Sequence, residues 1–487
     1  MSNNSRILKT TRLRQSEVSG RSIVTESESD RGRILFCPAF RRLQQKAQVF
    51  SMEPNAAVRS RLTHSLEVAQ LGRFIADEIG DRLFNELAPL ERTAFANFVE
   101  AACLMHDIGN PPFGHFGETA IKKWFSEKGQ DHLKRSVQLS TDELGSGDER
   151  LKEALSDFIE FDGNPQGLRI VARLQWNTDQ FGLNLTKTTL ASFLKYIRRA
   201  GEKVSGNFTK KAGYFLTEES IVKSIWSEFG YSQPQRFPLA YVMEAADDIA
   251  YCISDLEDSI EKGIVSETSA LEEIEKRFER CEIAEDDTAY LEIRDALAAM
   301  RSGRNAEDKE FTYTTFRTTV NRAIVKYVAD RYVKFQNEVD AGTLDSLLPR
   351  SSSSGAILET LKDYCRDHVY RHESIQRTEL AGFTAISGLL DHYSPLLSFS
   401  RGSFSAALKY EREDPFGKSI LIESKLLSLF PDRYIKVYNQ YVDNLPEGDA
   451  TRFLEWNARA HLVVDFVSGM TDDFAMTTYR TLSGMRL

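Results

Sequence analysis

Eight histidines occur in the 487-residue chain, and three of them, His64, His106 and His115, lie close together near its start. His106 is followed directly by Asp107, within CLMHDIGNPPFGHFGE. Imidazole nitrogen and carboxylate oxygen together suit a borderline divalent metal ion. A further carboxylate is available in EAADDIAYCISDLED, residues 244–258, where Asp247, Tyr251 and Asp255 are four residues apart in turn. On a helix that spacing sets them on one face. A carboxylate on the buried side of an otherwise apolar helix is unfavourable unless it is paired or holds a metal. Taken singly, each residue has an ordinary reading. A histidine on an apolar face is more often a hydrogen-bonded core residue, an HD dipeptide arises by chance, and Asp247, Asp255 and Asp258 can be a solvated face. The set H…HD…D, every member on a helix and facing inward, points to a metal site.

Helices must position these groups. Leu62, Leu66, Ala69 and Arg73 step around one side of a helix, while His64, Val68, Leu71 and Ile75 form an apolar stripe that turns His64 inward. Residues 92–106 repeat the pattern with Phe95, Phe98, Val99, Ala102 and His106, and Pro111 and Pro112 must end that helix. Asp107 is rotated from His106 by about 100° on an ideal helix, so the two can share one metal only at a helix end. Residues 237–262 form another long helix. The N-terminal 30 residues, with TESESD at 25–30, read as an extended polar arm. AGYFLT at 212–217 is the best strand signal and suits half of a hairpin. Residues 266–310 are charge-dense (LEEIEKRFER, AEDD, RNAEDKEF) and read as solvated helices; SSSSG at 351–355 reads as a loop; helical patterning returns over 356–480. No repeat at solenoid spacing is present. The expected fold class is all-α. It divides into an N-terminal arm and substrate-contacting segment (1–56), a helical core (57–262), a charged helical insertion and loop (263–355) and a C-terminal helical part (356–487).

Composition narrows the function classes. Hydrophobic residues make up 41% and charged residues 28%, the balance of a folded globular chain, which excludes global disorder. The net charge of −10 excludes a generally basic nucleic-acid binder but leaves room for a few cations in one phosphate pocket. Cys37, Cys103, Cys252, Cys281 and Cys365 are far apart and never form CxxC, which argues against a disulfide framework or a zinc knuckle and suits a reducing compartment. No apolar run approaches the roughly 18 residues of a membrane span, and residues 1–20 lack the apolar core of a signal peptide. The cytoplasm is the expected location.

The H…HD…D pattern resembles the HD phosphohydrolase superfamily. The surrounding text more narrowly resembles the bacterial deoxyguanosinetriphosphate triphosphohydrolases (dGTPases). The matching segments are RILFCPAFRRLQQKAQVF (33–50), RSRLTHSLEVAQLG (59–72), HDIGNPPFGHFGE (106–118), FDGNPQGLRI (161–170), GLNLT and LKY (182–186 and 194–196), MEAADDIAYCISDLED (243–258), ELAGFTAISGLL (379–390) and DFVSGMTDDFA (465–475). They run in family order over nearly the whole chain. HD alone is weakly specific; HDIGNPPFGHFGE and EAADDIAY are highly so. Ala47 and Pro165 depart from the family's Thr and Ala.

The resemblance implies an HD-domain helical core with one divalent ion per subunit, Mn²⁺ or Mg²⁺, held by His64, His106, Asp107 and Asp247. It implies attack on the α-phosphorus of dGTP, releasing deoxyguanosine and intact triphosphate, with His115 and Glu118 acting in the catalytic step. A carboxylate three residues on can orient the imidazole and raise its basicity; otherwise Glu118 serves only as a helix cap. Phosphate and sugar contacts are implied for Arg61, Asn110, Asn164, Lys195, Tyr196 and Tyr251. Sugar discrimination is implied for Gln48 and Asp255 at the 3′-hydroxyl and for Val49 against C2′. Guanine recognition is implied for Glu379 and Arg412, with Lys425 reaching in from an adjoining subunit. Without the resemblance, Lys195, Glu379 and Arg412 read as surface charges and Tyr251 as a core aromatic. The family also implies a homo-oligomer, a hexamer. The pairs Arg41–Arg42 and Arg198–Arg199 leave single-stranded DNA open as a further partner. A broader dNTP triphosphohydrolase, another HD phosphohydrolase, and a nucleic-acid-binding regulator with a vestigial site are the competing readings.

Overall fold

In the computed structural model, which describes residues 6–83, 85–138, 149–283, 289–303 and 312–485, the N-terminal segment is folded rather than extended. Helix α1 (Ile23–Phe36) opens on Ser22, whose hydroxyl accepts the Thr25 N–H. TESESD lies inside this helix, and Glu26 and Asp30, one turn apart, are buried. Both pair with the buried Arg12, whose Nη1 stands 2.6 Å from Asp30 Oδ1. The stretch looked solvent-bound because its buried face is made of carboxylates; their partner lies 14 and 18 residues upstream. Ile7 and Leu8 are buried as well.

Helix α2 (Arg61–Arg82) starts at a capping box: the Ser60 hydroxyl accepts from Thr63 N–H and the Thr63 hydroxyl accepts from Ser60 N–H. Its buried face carries His64, Val68, Leu71 and Ile75, as the stripe predicts. Helix α3 (Pro89–Met105) packs along α2 and stops at Met105, so His106 and Asp107 lie on the turn beyond the helix end. After Pro111 and Pro112, Phe113 and Gly114 both take left-handed backbone (φ 60° and 53°), and α4 (Gly114–Trp124) sets off in a new direction. Helix α5 (Lys187–Phe193) packs on α3. The long helix α6 (Pro238–Glu261) lies against both α2 and α3, completing the layer that faces the metal-ligand candidates. Helix α7 (Tyr313–Lys334) covers α2 from another side.

In the C-terminal part, α8 (Ser353–His368) packs on α6 and α9 (Glu373–Ser398) packs on α4. Helices α10 (Thr451–Ser468) and α11 (Asp472–Leu482) both pack on α9. Three local expectations change. SSSSG is not a loop throughout: Ser352 caps α8 by accepting from Gly355 N–H, and the helix begins at Ser353. AGYFLT contributes a short strand, β2 (Ala212–Tyr214), that pairs in parallel with β1 (Arg198–Arg199), so it is not half of a hairpin. The charge-dense helices Glu267–Phe278 and Tyr290–Ser302 each bury one face, with Leu271, Ile274 and Phe278 in the first and Ile293 and Leu297 in the second. AEDD (284–287) and RNAEDKEF (304–311) lie outside the described residues. The all-α class holds. Among the described residues no helix is long and apolar enough to cross a membrane.

Candidate metal and nucleotide site

Three side chains from three elements converge: His64 of α2, His106 just past α3 and Asp247 of α6. One ligand atom from each lies within 4.8 Å of the others. Both imidazole Nε2 atoms stand 3.4 Å from Asp247 Oδ1. His106 Nδ1 is 2.7 Å from the Cys103 carbonyl. A carbonyl can only accept, so that nitrogen carries the proton and Nε2 presents its lone pair to the centre. His64 is fully buried, and among the described residues neither of its ring nitrogens has a hydrogen-bond partner; His106 Nε2 has none either. Orphaned buried nitrogens around one carboxylate are the donor set a divalent cation needs. Burial alone would push the Asp247 carboxyl up. The imidazoles of His106 and His64 and the Lys195 ammonium outweigh it and hold Asp247 well below the usual carboxylate range.

Asp107 stands at the edge of this group. Its Oδ2 is 3.6 Å from His106 Nε2 but accepts a hydrogen bond from Arg61 Nη1 at 2.5 Å, and its Oδ1 accepts from Asn110 Nδ2 at 2.5 Å. Against burial, Arg61 first and then the two imidazoles hold this carboxyl down to about 2. Arg61 also reaches toward the start of α4, where a Cβ on Gly114 would stand 2.7 Å from its Nη2. It therefore lies between the metal-ligand candidates and the turn that carries His115. Lys195 Nζ lies 3.5 Å from the other oxygen of Asp247 and 3.7 Å from Glu244. It thus turns Oδ1 toward the two imidazoles.

His115, beyond the proline break, is exposed over 79% of its side chain. Its Nδ1–H donates to Glu118 Oε2 at 3.1 Å, while the buried Glu118 accepts the Gly163 N–H at 2.8 Å through Oε1. Glu118 sits inside α4, in the second turn, rather than at its cap. Its two oxygens orient a ring and the first turn of the helix Gly163–Arg169. Asn164, in that first turn, donates to the capping Asp162, whose other oxygen pairs with Lys211 at 2.7 Å. Tyr196 is buried.

Further along the same face of α6, Asp255 is buried and burial pushes its carboxyl up to about 7. Tyr370 donates to its Oδ2 at 2.6 Å, and the Tyr251 and Tyr370 hydroxyls are 2.7 Å apart. Among the described residues Asp255 Oδ1 and Gln48 Oε1 are buried without hydrogen-bond partners. Val49 is half-buried against the core. Glu379 of α9 is near enough to His115 for their charges to interact, and burial raises its carboxyl. Arg412 and Lys425 are exposed, and among the described residues no contact joins them to the His–Asp group.

Two residues at the site escape the sequence reading, Tyr370 with no signal of its own and Lys46 inside the matching segment 33–50 but without a role there. Tyr370 stands in an undistinguished VYRHES stretch yet bridges Tyr251 and Asp255. Lys46 is buried, donating from Nζ to the carbonyls of Asn110 at 2.5 Å and Ser468 at 2.9 Å; burial, then Arg42, brings its ammonium down to about 7.

Comparison with known proteins bears directly on this geometry. The HD domain family matches residues 61–175, and the phosphohydrolase-associated domain family matches residues 433–481. The chain is 40% identical over 483 residues to the deoxyguanosinetriphosphate triphosphohydrolase of Salmonella typhimurium, covering 93% of each protein. Proteins of the same name from Salmonella schwarzengrund and Salmonella enteritidis are 40% and 39% identical, again over 93% of both chains.

Proposed function

Because this chain belongs to the deoxyguanosinetriphosphate triphosphohydrolase family of HD-domain enzymes and is a dGTPase, we propose that it cleaves dGTP at the α-phosphate, with a divalent ion as cofactor. The products are deoxyguanosine and inorganic triphosphate. The observation that carries this reading is the set of unpartnered buried nitrogens of His64 and His106 around Asp247. These three residues, joined by Asp107, would hold Mn²⁺ or Mg²⁺. When bound, the ion supplies Lewis-acid polarisation of a phosphate oxygen. His115 exchanges a proton through Nε2 with the attacking water or the leaving 5′-oxygen, because Glu118 already holds Nδ1–H. Arg61 and Lys195 set positive charge beside the polyphosphate, with Asn110, Asn164, Tyr196 and Tyr251 as further contacts. After exhaustive chelation, hydrolysis should vanish and return with Mn²⁺ or Mg²⁺. Full activity in metal-free protein would contradict the cofactor assignment.

Gln48 and Asp255 take the sugar 3′-hydroxyl, which the unpartnered Gln48 Oε1 and Asp255 Oδ1 support. Val49 then stands against C2′. Val49→Gly is expected to raise GTP turnover relative to dGTP by roughly tenfold, the effect of about 1.4 kcal/mol. An unchanged GTP to dGTP ratio in kcat/KM would remove Val49 from that role.

Guanine is read by Glu379 and Arg412, the carboxylate accepting from N1–H and the 2-amino group, the guanidinium donating to O6 and N7. The proximity of Glu379 to His115 supports its half of this reading. Arg412 and Lys425 would serve from an adjoining subunit, and the exposed Phe416, Leu421 and Ile422 beside them suit a homo-oligomer. Glu379→Gln leaves a base donor unsatisfied, which costs about 1–3 kcal/mol. It should lower kcat/KM for dGTP by about tenfold or more and change that for dATP little. An equal loss for both nucleotides would move Glu379 to the phosphates or to structure.

A further inference from the structure

We infer that Asp472, in the C-terminal part, is a positioning residue for the hydrolysis: its single carboxylate holds the turn leading to His115 and the segment leading to Gln48 and Val49 in register. The inference rests on the roles proposed above for those three residues. Asp472 is buried in the first turn of α11, which Thr471 caps. Its Oδ1 accepts the Phe113 N–H at 3.0 Å, and its Oδ2 accepts the Ala47 N–H at 3.1 Å. Phe113 lies two residues before His115 and holds φ 60°, a conformation that a bulky residue keeps only when its surroundings enforce it. A further restraint on Phe113 comes from α9, where a Cβ on Gly382 would stand 2.2 Å from the ring. Ala47 immediately precedes Gln48 and Val49 and bridges to Ser60 at the start of α2. Lys46 adds parallel ties from the same segment to Asn110 and Ser468. Residues 46–49, 110–115 and 468–472 thus meet at one junction. The catalytic imidazole and the sugar-facing residues, far apart in sequence, are set against each other there.

A carboxylate can accept from two donors at once, one on each oxygen. An amide of the same shape keeps one acceptor and turns an NH₂ toward the other donor. Asp472→Asn therefore removes one tie while preserving volume. Asp473, next in the chain and exposed, is the control. Asp472→Asn should bind Mn²⁺ with wild-type stoichiometry, because its contacts involve none of His64, His106 and Asp247. Its kcat for dGTP should fall about 10–100-fold through misplacement of the reacting groups, and its dGTP preference over GTP should narrow. Asp473→Asn should match the wild type in both. A metal-loaded Asp472→Asn enzyme with wild-type kcat and an unchanged dGTP to GTP ratio would overturn the inference, as would a loss explained wholly by a smaller folded fraction. If the asparagine variant does not fold, Asp472→Glu applies the same test: it keeps both acceptors and displaces them by one methylene. If the wild type itself releases no triphosphate from dGTP, the reading of the function fails; if it does and the variants equal it, only the role of Asp472 fails.

Discussion

His106→Ala is expected to lose the metal and essentially all dGTP hydrolysis while the fold survives, and Asp247→Asn is expected to do the same. His106 supplies one ligand atom, since its Nδ1–H is already spent on Cys103 O. Removing it leaves two of the three convergent groups. Changes to residues that merely orient metal ligands weaken binding about 10–100-fold, so loss of a ligand itself should exceed that. Among the described residues the ring makes one hydrogen bond, to Cys103 O, and it lies past the end of α3, so the helix keeps its own hydrogen bonds. Asp247 differs because Lys195 and both imidazoles face it. Either substitution takes one counter-charge from the half-buried Lys195; alanine would also remove the side-chain volume, whereas asparagine keeps the shape and isolates the charge effect. Metal content by elemental analysis and turnover at saturating Mn²⁺ check both variants. Wild-type turnover in either would remove that residue from the ligand set.

His115→Ala is expected to keep metal and dGTP binding but to lose turnover by about 10²–10⁴-fold, the range for a general acid or base. Its ring lies off the faces that carry the metal-ligand candidates, and Glu118 holds it by one nitrogen so that the other faces outward. Glu118→Gln should show a smaller loss in kcat, because the amide can still contact the ring while the charge that supports an imidazolium is gone. A His115→Ala enzyme that no longer binds metal would place His115 among the ligands instead.

Much of the site is legible because helix geometry turns spacing into direction. The stripe through His64, the proline break after His106 and the four-residue steps from Asp247 to Asp255 each specify a face, and α2, α3 and α6 bring those faces together. Directions along one helix do not reveal partners on another. Nothing near Asp107 announces that Arg61 will hold it, and nothing near Tyr370 marks it as the partner of Asp255, 115 residues earlier. The N-terminal segment misleads for the same reason: Glu26 and Asp30 look solvated until Arg12 is seen between them. AGYFLT carries a true strand signal, but a parallel pairing with Arg198–Arg199 depends on the intervening chain and not on local turn chemistry. Glu379 has no distinguishing spacing; only the packing of α9 against α4 brings it toward His115. Arg412 and Lys425 are exposed, and among the described residues no contact ties either to the His–Asp group, so the role proposed for them rests on the resemblance alone.

Hydrolysis of dGTP in ¹⁸O-labelled water tests the central claim most directly, with both products resolved and weighed by mass spectrometry. Attack of water on the α-phosphorus with departure of the 5′-oxygen predicts one solvent oxygen in intact triphosphate and none in deoxyguanosine. Label in the deoxyguanosine, or release of pyrophosphate or orthophosphate in place of triphosphate, would contradict it.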